Sequence, residues 1–180
     1  MKSLLNQIKQ RWDSGGKIIS LSLFIFVFLV FIIGYAILHI GGPKTPVTAD
    51  QVFEIMKAEG YYPTDATQHY RENGVDRTDL VEVVQISTDD FTLAFFEFLD
   101  DDGAKTLYRS VASKIRTDVY KSPNIEYSAS FANFTIYTIQ TDDQYAANVR
   151  VGNTEVYALG SKDSASDIHS FLVQIGYFKE

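Results

Sequence analysis

The side chains of this chain that could do chemistry are few and scattered. Histidine occurs only at positions 39, 69 and 169, and there is no cysteine. That rules out disulfides, thiol nucleophiles, thiolate metal ligands and a lipidated cysteine anchor. His69 and His169 stand a hundred positions apart, so a metal or proton-transfer centre would need the fold to unite them with Asp or Glu. Beyond residue 43 there is no glycine-rich phosphate loop, no GxSxG elbow, no HExxH pair and no close His–carboxylate set. Asp100-Asp101-Asp102-Gly103 is the densest group of oxygen donors. A calcium loop needs alternating donors, a glycine at its sixth position and a distant glutamate, and that register is missing. The same carboxylates suit a helix N-terminus, where they accept orphan amide protons and meet the positive end of the macrodipole. Asn133-Phe134-Thr135 matches a glycosylation triplet but reads more simply as part of a strand. No cofactor and no metal are expected, and the catalytic residues, if there are any, are unknown.

The rest of the chain is arranged around Ile18 to Ile40, 23 residues without a formally charged side chain. As a helix this stretch covers roughly 34 Å at about 1.5 Å per residue, enough to cross a hydrocarbon core of about 30 Å. It is predicted to be a single transmembrane helix, with the lipid bilayer as its partner. A cleaved signal peptide is the competing expectation, because Gly34-Tyr35-Ala36 loosely resembles a cleavage site. The apolar run is too long for a signal core and continues through Ile37, Leu38 and Ile40, which favours an uncleaved anchor. His39 falls near the outer interface, where it reads as a headgroup contact. Ahead of the span, Lys2, Lys9, Arg11 and Lys17 against Asp13 give residues 1–17 a charge of +3. Leu4, Leu5, Ile8 and Trp12 recur at helical spacing there, so this basic head can form an amphipathic helix. Basic flanks stay cytoplasmic, which places the C-terminal part outside the plasma membrane.

After a linker at 41–47, residues 48–180 are predicted to form one extracytoplasmic domain. From Lys44 onward 12 basic residues face 22 acidic ones, and a charge of −10 makes nucleic acid an unfavourable partner. Thr48 and Gln51 form a capping box and Val47 with Val52 a hydrophobic staple, so a helix starts there and ends at Gly60. Ala66 to Tyr70 is expected as a short strand, and Leu80 to Ser87 with Phe91 to Phe98 as a hairpin. Ala104, Leu107, Val111 and Ile115 mark a second helix. Tyr120 to Ser130 is expected as a loop. Phe131 to Gln140, Tyr145 to Val151 and Thr154 to Leu159 form a meander, and a last helix ends at Gly176. The fold class is therefore α+β: an antiparallel sheet of five or six strands with three helices on one face and around its end. Thr-Asp-Asp turns at 88–90 and 141–143 suggest a degenerate strand-strand-helix repeat.

Taken together, Gly60-Tyr61 ending a capped helix, FFEF at 95–98 leading into DDDGAK, and Gly176-Tyr177 ending the last helix give a recognisable layout. It resembles uncharacterised small extracytoplasmic domains of Gram-positive bacterial membrane proteins and lipoproteins. The resemblance implies an outer location and supplies no mechanism. Three functions are compatible with the sequence. The first is an anchored binding or interaction module for an envelope protein, wall polymer or small ligand. The second is an accessory single-pass subunit of a transport or secretion complex, and the third a carboxylate-based envelope hydrolase.

Overall fold

The computed structural model describes Phe26, Phe28 and residues 42–73, 79–119, 125–131 and 133–179. The basic head at 1–17 and the span at 18–40 lie outside the described residues, apart from Phe26 and Phe28, which are helical. Among the described residues no helix is long and apolar enough to cross a membrane, so the transmembrane expectation rests on the sequence of 18–40. Residues from Pro43 to Glu180 form one compact unit.

Its described residues form an α+β fold with seven strands and four helices. The strands are β1 (Thr64–Asp65), β2 (Leu80–Ser87), β3 (Phe91–Phe98), β4 (Ile125–Ser130), β5 (Phe134–Gln140), β6 (Gln144–Val151) and β7 (Thr154–Ser161). They lie in the order β1-β2-β3-β7-β6-β5-β4, with every neighbouring pair antiparallel. The helices are α1 (Ala49–Ala58), α2 (Thr67–Glu72), α3 (Asp101–Asp118) and α4 (Ala165–Gln174).

Local chemistry sets most of the boundaries. Thr48 accepts a hydrogen bond from the Gln51 amide while the Gln51 side chain accepts from the Thr48 amide, which closes the capping box of α1. Asp100 caps α3 by accepting from the amides of Asp102 and Gly103 at 3.0 and 3.1 Å. The Thr-Asp-Asp turns share one device: the hydroxyls of Thr88 and Thr141 accept from the amide three residues on.

Successive side chains of a strand point to opposite faces, and both faces of this sheet are apolar. Leu93 and Phe95 join Val84, Phe134, Val149 and Val156 on one face, covered by Val52 and Met56 of α1 and by Ile168, Phe171 and Leu172 of α4. Ala94, Phe96 and Phe98 lie on the other, under α2 and the start of α3, while Tyr137, Ile139 and Ala146 meet Ile115 farther along α3. The expectation of helices on one face and around the end is corrected: α1 and α4 cover one face, α2 and α3 the other. The helices that follow the two Thr-Asp-Asp hairpins thus lie on opposite faces. What the two passages share is turn chemistry.

The counts of five or six strands and three helices are corrected too. Only Thr64–Asp65 is extended in the region where a strand was expected at Ala66 to Tyr70. The Asp65 carboxylate takes the Thr67 amide at 2.9 Å and starts α2, and Ala66 and Tyr70, four apart on one helical side, pack against the sheet. The loop expected over 120–130 contains β4. Its side chains are exposed on both faces apart from a half-buried Ala129, so no hydrophobic alternation announces it, and it is held by backbone pairing to β5.

Where β7 leaves the sheet the backbone runs very close to the β2–β3 turn. A Cβ on Gly160 would collide with Ser164 Oγ and Phe91 Cβ and stand 2.8 Å from the carbonyl oxygen of Asp90. Gly160→Ala should therefore destabilise the unit by about 1–3 kcal/mol. Urea unfolding of residues 43–180 followed by far-UV circular dichroism checks this. An unchanged midpoint would contradict the close approach.

Candidate functional site

The accessible site is built where α1 stops. Gly60 adopts φ 86°, and its amide donates to the carbonyl of Lys57 while the Tyr61 amide donates to that of Met56. This is a Schellman ending, in which a glycine accepts the left-handed conformation and satisfies the last carbonyls. The chain then turns outward as Tyr61-Tyr62-Pro63. The Tyr61 ring meets Phe91 edge-on with centroids 5.9 Å apart, while Tyr62 is 92% exposed. A groove of about 440 Å³ runs along Phe53, Lys57, Gly60, Tyr61, Tyr62 and Pro63. Lys57 does not project into it as a free cation. Its Nζ lies 5.7 Å from the Phe53 ring centroid and 3.7 Å from the Glu54 carboxylate.

Tyr61 also borders a second, smaller pocket of about 110 Å³, formed by Glu59 with Asp167, Ser170, Phe171 and Gln174 of α4. Burial raises the Tyr61 phenol above its usual pKa, and the nearby carboxylates of Asp167 and Glu59 add to the shift. One tyrosine thus separates an aromatic, largely apolar groove from a pocket that carries two carboxylates. Pockets of this kind, apolar with a few converging polar groups, are where small ligands and peptide segments bind.

A second polar group is sealed beneath α3. Cross-strand register places Thr135, Arg150, Glu155 and Phe96 in one row and Tyr137, Asn148, Tyr157 and Ala94 in the next. Asn148 and Glu155 are fully buried. Asn148 donates to the Tyr108 carbonyl of α3 at 3.0 Å. Arg150 donates to the carbonyl of Gly152 at 3.1 Å and to Thr135 Oγ1 at 3.4 Å. Both carboxyl oxygens of Glu155, together with Asn148 Oδ1, are left without a protein partner. Burial pushes the Glu155 carboxyl well above the usual range, and Arg150 opposes this only in part. Burial also pushes the Tyr108 phenol up to about 12, with Glu155 contributing. Glu155 is fully buried, and no substrate reaches it without moving α3.

The histidines stay apart. His69 on α2 stands edge-on to Tyr70, and His169 on α4 packs against Phe178, on helices that cover opposite faces of the sheet. Asp100 is spent on its cap, and Asp101 and Asp102 pair with Lys105 at 4.0 and 3.2 Å. Among the described residues no group of three or more His, Asp or Glu side chains could hold a metal ion. Asn133 serves the fold: its side chain accepts from the Lys44 amide at 3.0 Å and donates to the Lys44 carbonyl at 2.6 Å.

Sequence reasoning missed both polar constellations. Tyr61 and Tyr62 were legible only as the residues after a helix stop. Asn148, Arg150 and Glu155 sit at alternating positions of two strands, and that alternation was the available signal.

No family model matches the chain, and no curated protein matches it. Among solved structures the chain is similar to a protein from Thermotoga maritima described as a GTP binding regulator. Identity is 9%, the TM-score is 0.43, and the match covers 74% of this chain and 90% of that one. A likeness of that size bears on neither the fold nor the function.

The buried carboxyl gives a signed pH dependence. Its folded pKa is raised, so between the ordinary value of 4.5 and the raised one the folded state binds more protons than the unfolded state. Stability then falls with rising pH across that window, by up to about 1.4 kcal/mol per pH unit. Glu155→Gln removes this contribution. Urea midpoints from pH 4 upward should show the variant gaining steadily on the native chain as pH rises; parallel profiles would refute a raised Glu155 pKa.

Proposed function

We propose that this chain is a membrane-anchored binding module, held by the helix at 18–40 with its basic head in the cytoplasm and its acidic domain outside. The observation that carries the binding role is the groove at Tyr61 and Tyr62. A 92% exposed tyrosine beside Phe53 and Pro63 offers ring area that a partner can cover, and aromatic residues of this kind anchor interfaces. The partner is an envelope component, which the short linker brings within reach by holding the domain near the bilayer.

One observation speaks for the hydrolase alternative, since Glu59 and Asp167 line the same pocket. Glycosidase-type chemistry needs two carboxyl groups in unlike environments. These two are both solvent-exposed at the surface, which favours binding over hydrolysis.

The full chain in detergent, incubated with solubilised envelope, should retain specific components over an unrelated acidic domain. Tyr62→Ala should lower that retention about tenfold while leaving the urea midpoint of the domain unchanged, because an exposed ring contributes little to the core. Equal retention by the variant would remove the groove from the function. Exchange of 18–40 for an unrelated apolar helix should leave retention intact; loss would instead favour the accessory-subunit role.

A further inference from the structure

The smaller pocket beside Tyr61 carries carboxylates that the groove lacks. Among the described residues neither Glu59 nor Asp167 has an ion-pair partner, since Lys57 is turned to Glu54 and Phe53. Two unpaired carboxylates flank an aromatic ring, with Ser170 and Gln174 supplying neutral oxygen acceptors from the same helix. A cation gains from each of these groups, through ion pairing and through contact with the aromatic ring. Glu59 is the C-cap of α1, where the negative end of the helix macrodipole favours a cation further. Asp167 stands in the first turn of α4, whose positive end already offsets part of its charge. The domain's excess of 22 acidic over 12 basic residues attracts basic partners over longer range.

We infer that this pocket takes the guanidinium of an arginine side chain in a basic peptide segment, whose apolar neighbours lie in the groove on the other side of Tyr61. The inference rests on the binding role proposed for that groove and adds the chemistry of the ligand. A free amine would fill only the small pocket. The adjoining groove of about 440 Å³, walled by Phe53, Tyr62 and Pro63, requires an apolar portion continuous with the cation, and a peptide supplies both. Aromatic grooves of this type receive extended, proline-containing segments.

The test uses the full chain in detergent micelles, titrated calorimetrically with acetyl-Pro-Phe-Arg-Pro-Leu-amide and with the same peptide carrying citrulline, the neutral isostere of arginine. The arginine peptide should bind about tenfold more tightly, as expected for exposed ion pairs together with a cation–π contact. The advantage should shrink as salt is added. Glu59→Gln should reduce the preference more than Asp167→Asn, and the double variant should bind both peptides alike. Both side chains are surface-exposed, so the variants keep the fold, which unchanged urea midpoints verify. Equal affinity for the two peptides, or an arginine preference that survives the double variant, overturns the inference. If neither peptide binds while envelope components are still retained through Tyr62, the inference fails and the binding role stands. Loss of that retention as well removes both.

Discussion

The rest of the domain depends on a sheet that is apolar on both faces. In β3, Phe91, Leu93 and Phe95 point to one side and Ala94, Phe96 and Phe98 to the other, all buried. Burying one large apolar side chain is worth about 1.5–3 kcal/mol, so either face of this strand represents several kcal/mol, comparable with the whole net stability of a domain. A single covering layer would leave half of that in water. The helices therefore divide between the faces, and each connection crosses the sheet on the side its helix must cover. The sheet edges tolerate more water. At β4 the outer strand is exposed on both faces and carries Glu126, paired to Arg116 of α3 at 3.4 Å, a charge of the kind that discourages edge-to-edge association.

The same constraint makes the polar row beneath α3 expensive. Desolvating an ion costs several kcal/mol, and a partner must be well aligned to repay it. Arg150 is cross-strand from Glu155, yet its guanidinium donates to Gly152 and Thr135. Burial answers this by shifting Glu155 toward its uncharged form. Arg150 then serves the β6–β7 turn, where Gly152 takes φ 54°, and Asn148 ties the sheet to α3 through the Tyr108 carbonyl. The row orders the packing of α3 and lies out of reach of a ligand.

Legibility in the sequence followed burial. The β2–β3 hairpin, α3 and the three-stranded run from β5 to β7 were legible because each buries an apolar set at the period of its own element. The caps at Thr48 and Asp100 were legible because one side chain and one amide suffice to form them. β4 left no trace, since a strand exposed on both faces has no alternation to show. α2 was misread because Ala66 and Tyr70 are too few to separate a period of two from one of 3.6. The Tyr61 site was hidden for a different reason: it joins Glu59 to α4 residues more than a hundred positions away, and only tertiary packing creates that neighbourhood.

Two identical helix endings show how the site separates from the core. Gly60-Tyr61 and Gly176-Tyr177 make the same pair of backbone bonds, glycine amide to the carbonyl three residues back and tyrosine amide to the one five back. Their glycines share positive φ, at 86° and 76°. The backbone therefore treats the two tyrosines alike, and what differs is the supply of partners. Tyr177 is fully buried, with its hydroxyl bonded to Thr154 and accepting from the Val47 amide. Burial pushes that phenol up to about 12, and the residue acts as a core pin between the start of β7 and the entry to α1. Tyr61 finds Phe91 at one edge and no comparable enclosure, so it stays half-buried with carboxylates on one side and open groove on the other. A motif that closes the core at one helix end thus presents a binding surface at the other, and the groove can vary in sequence without disturbing the ending that supports it.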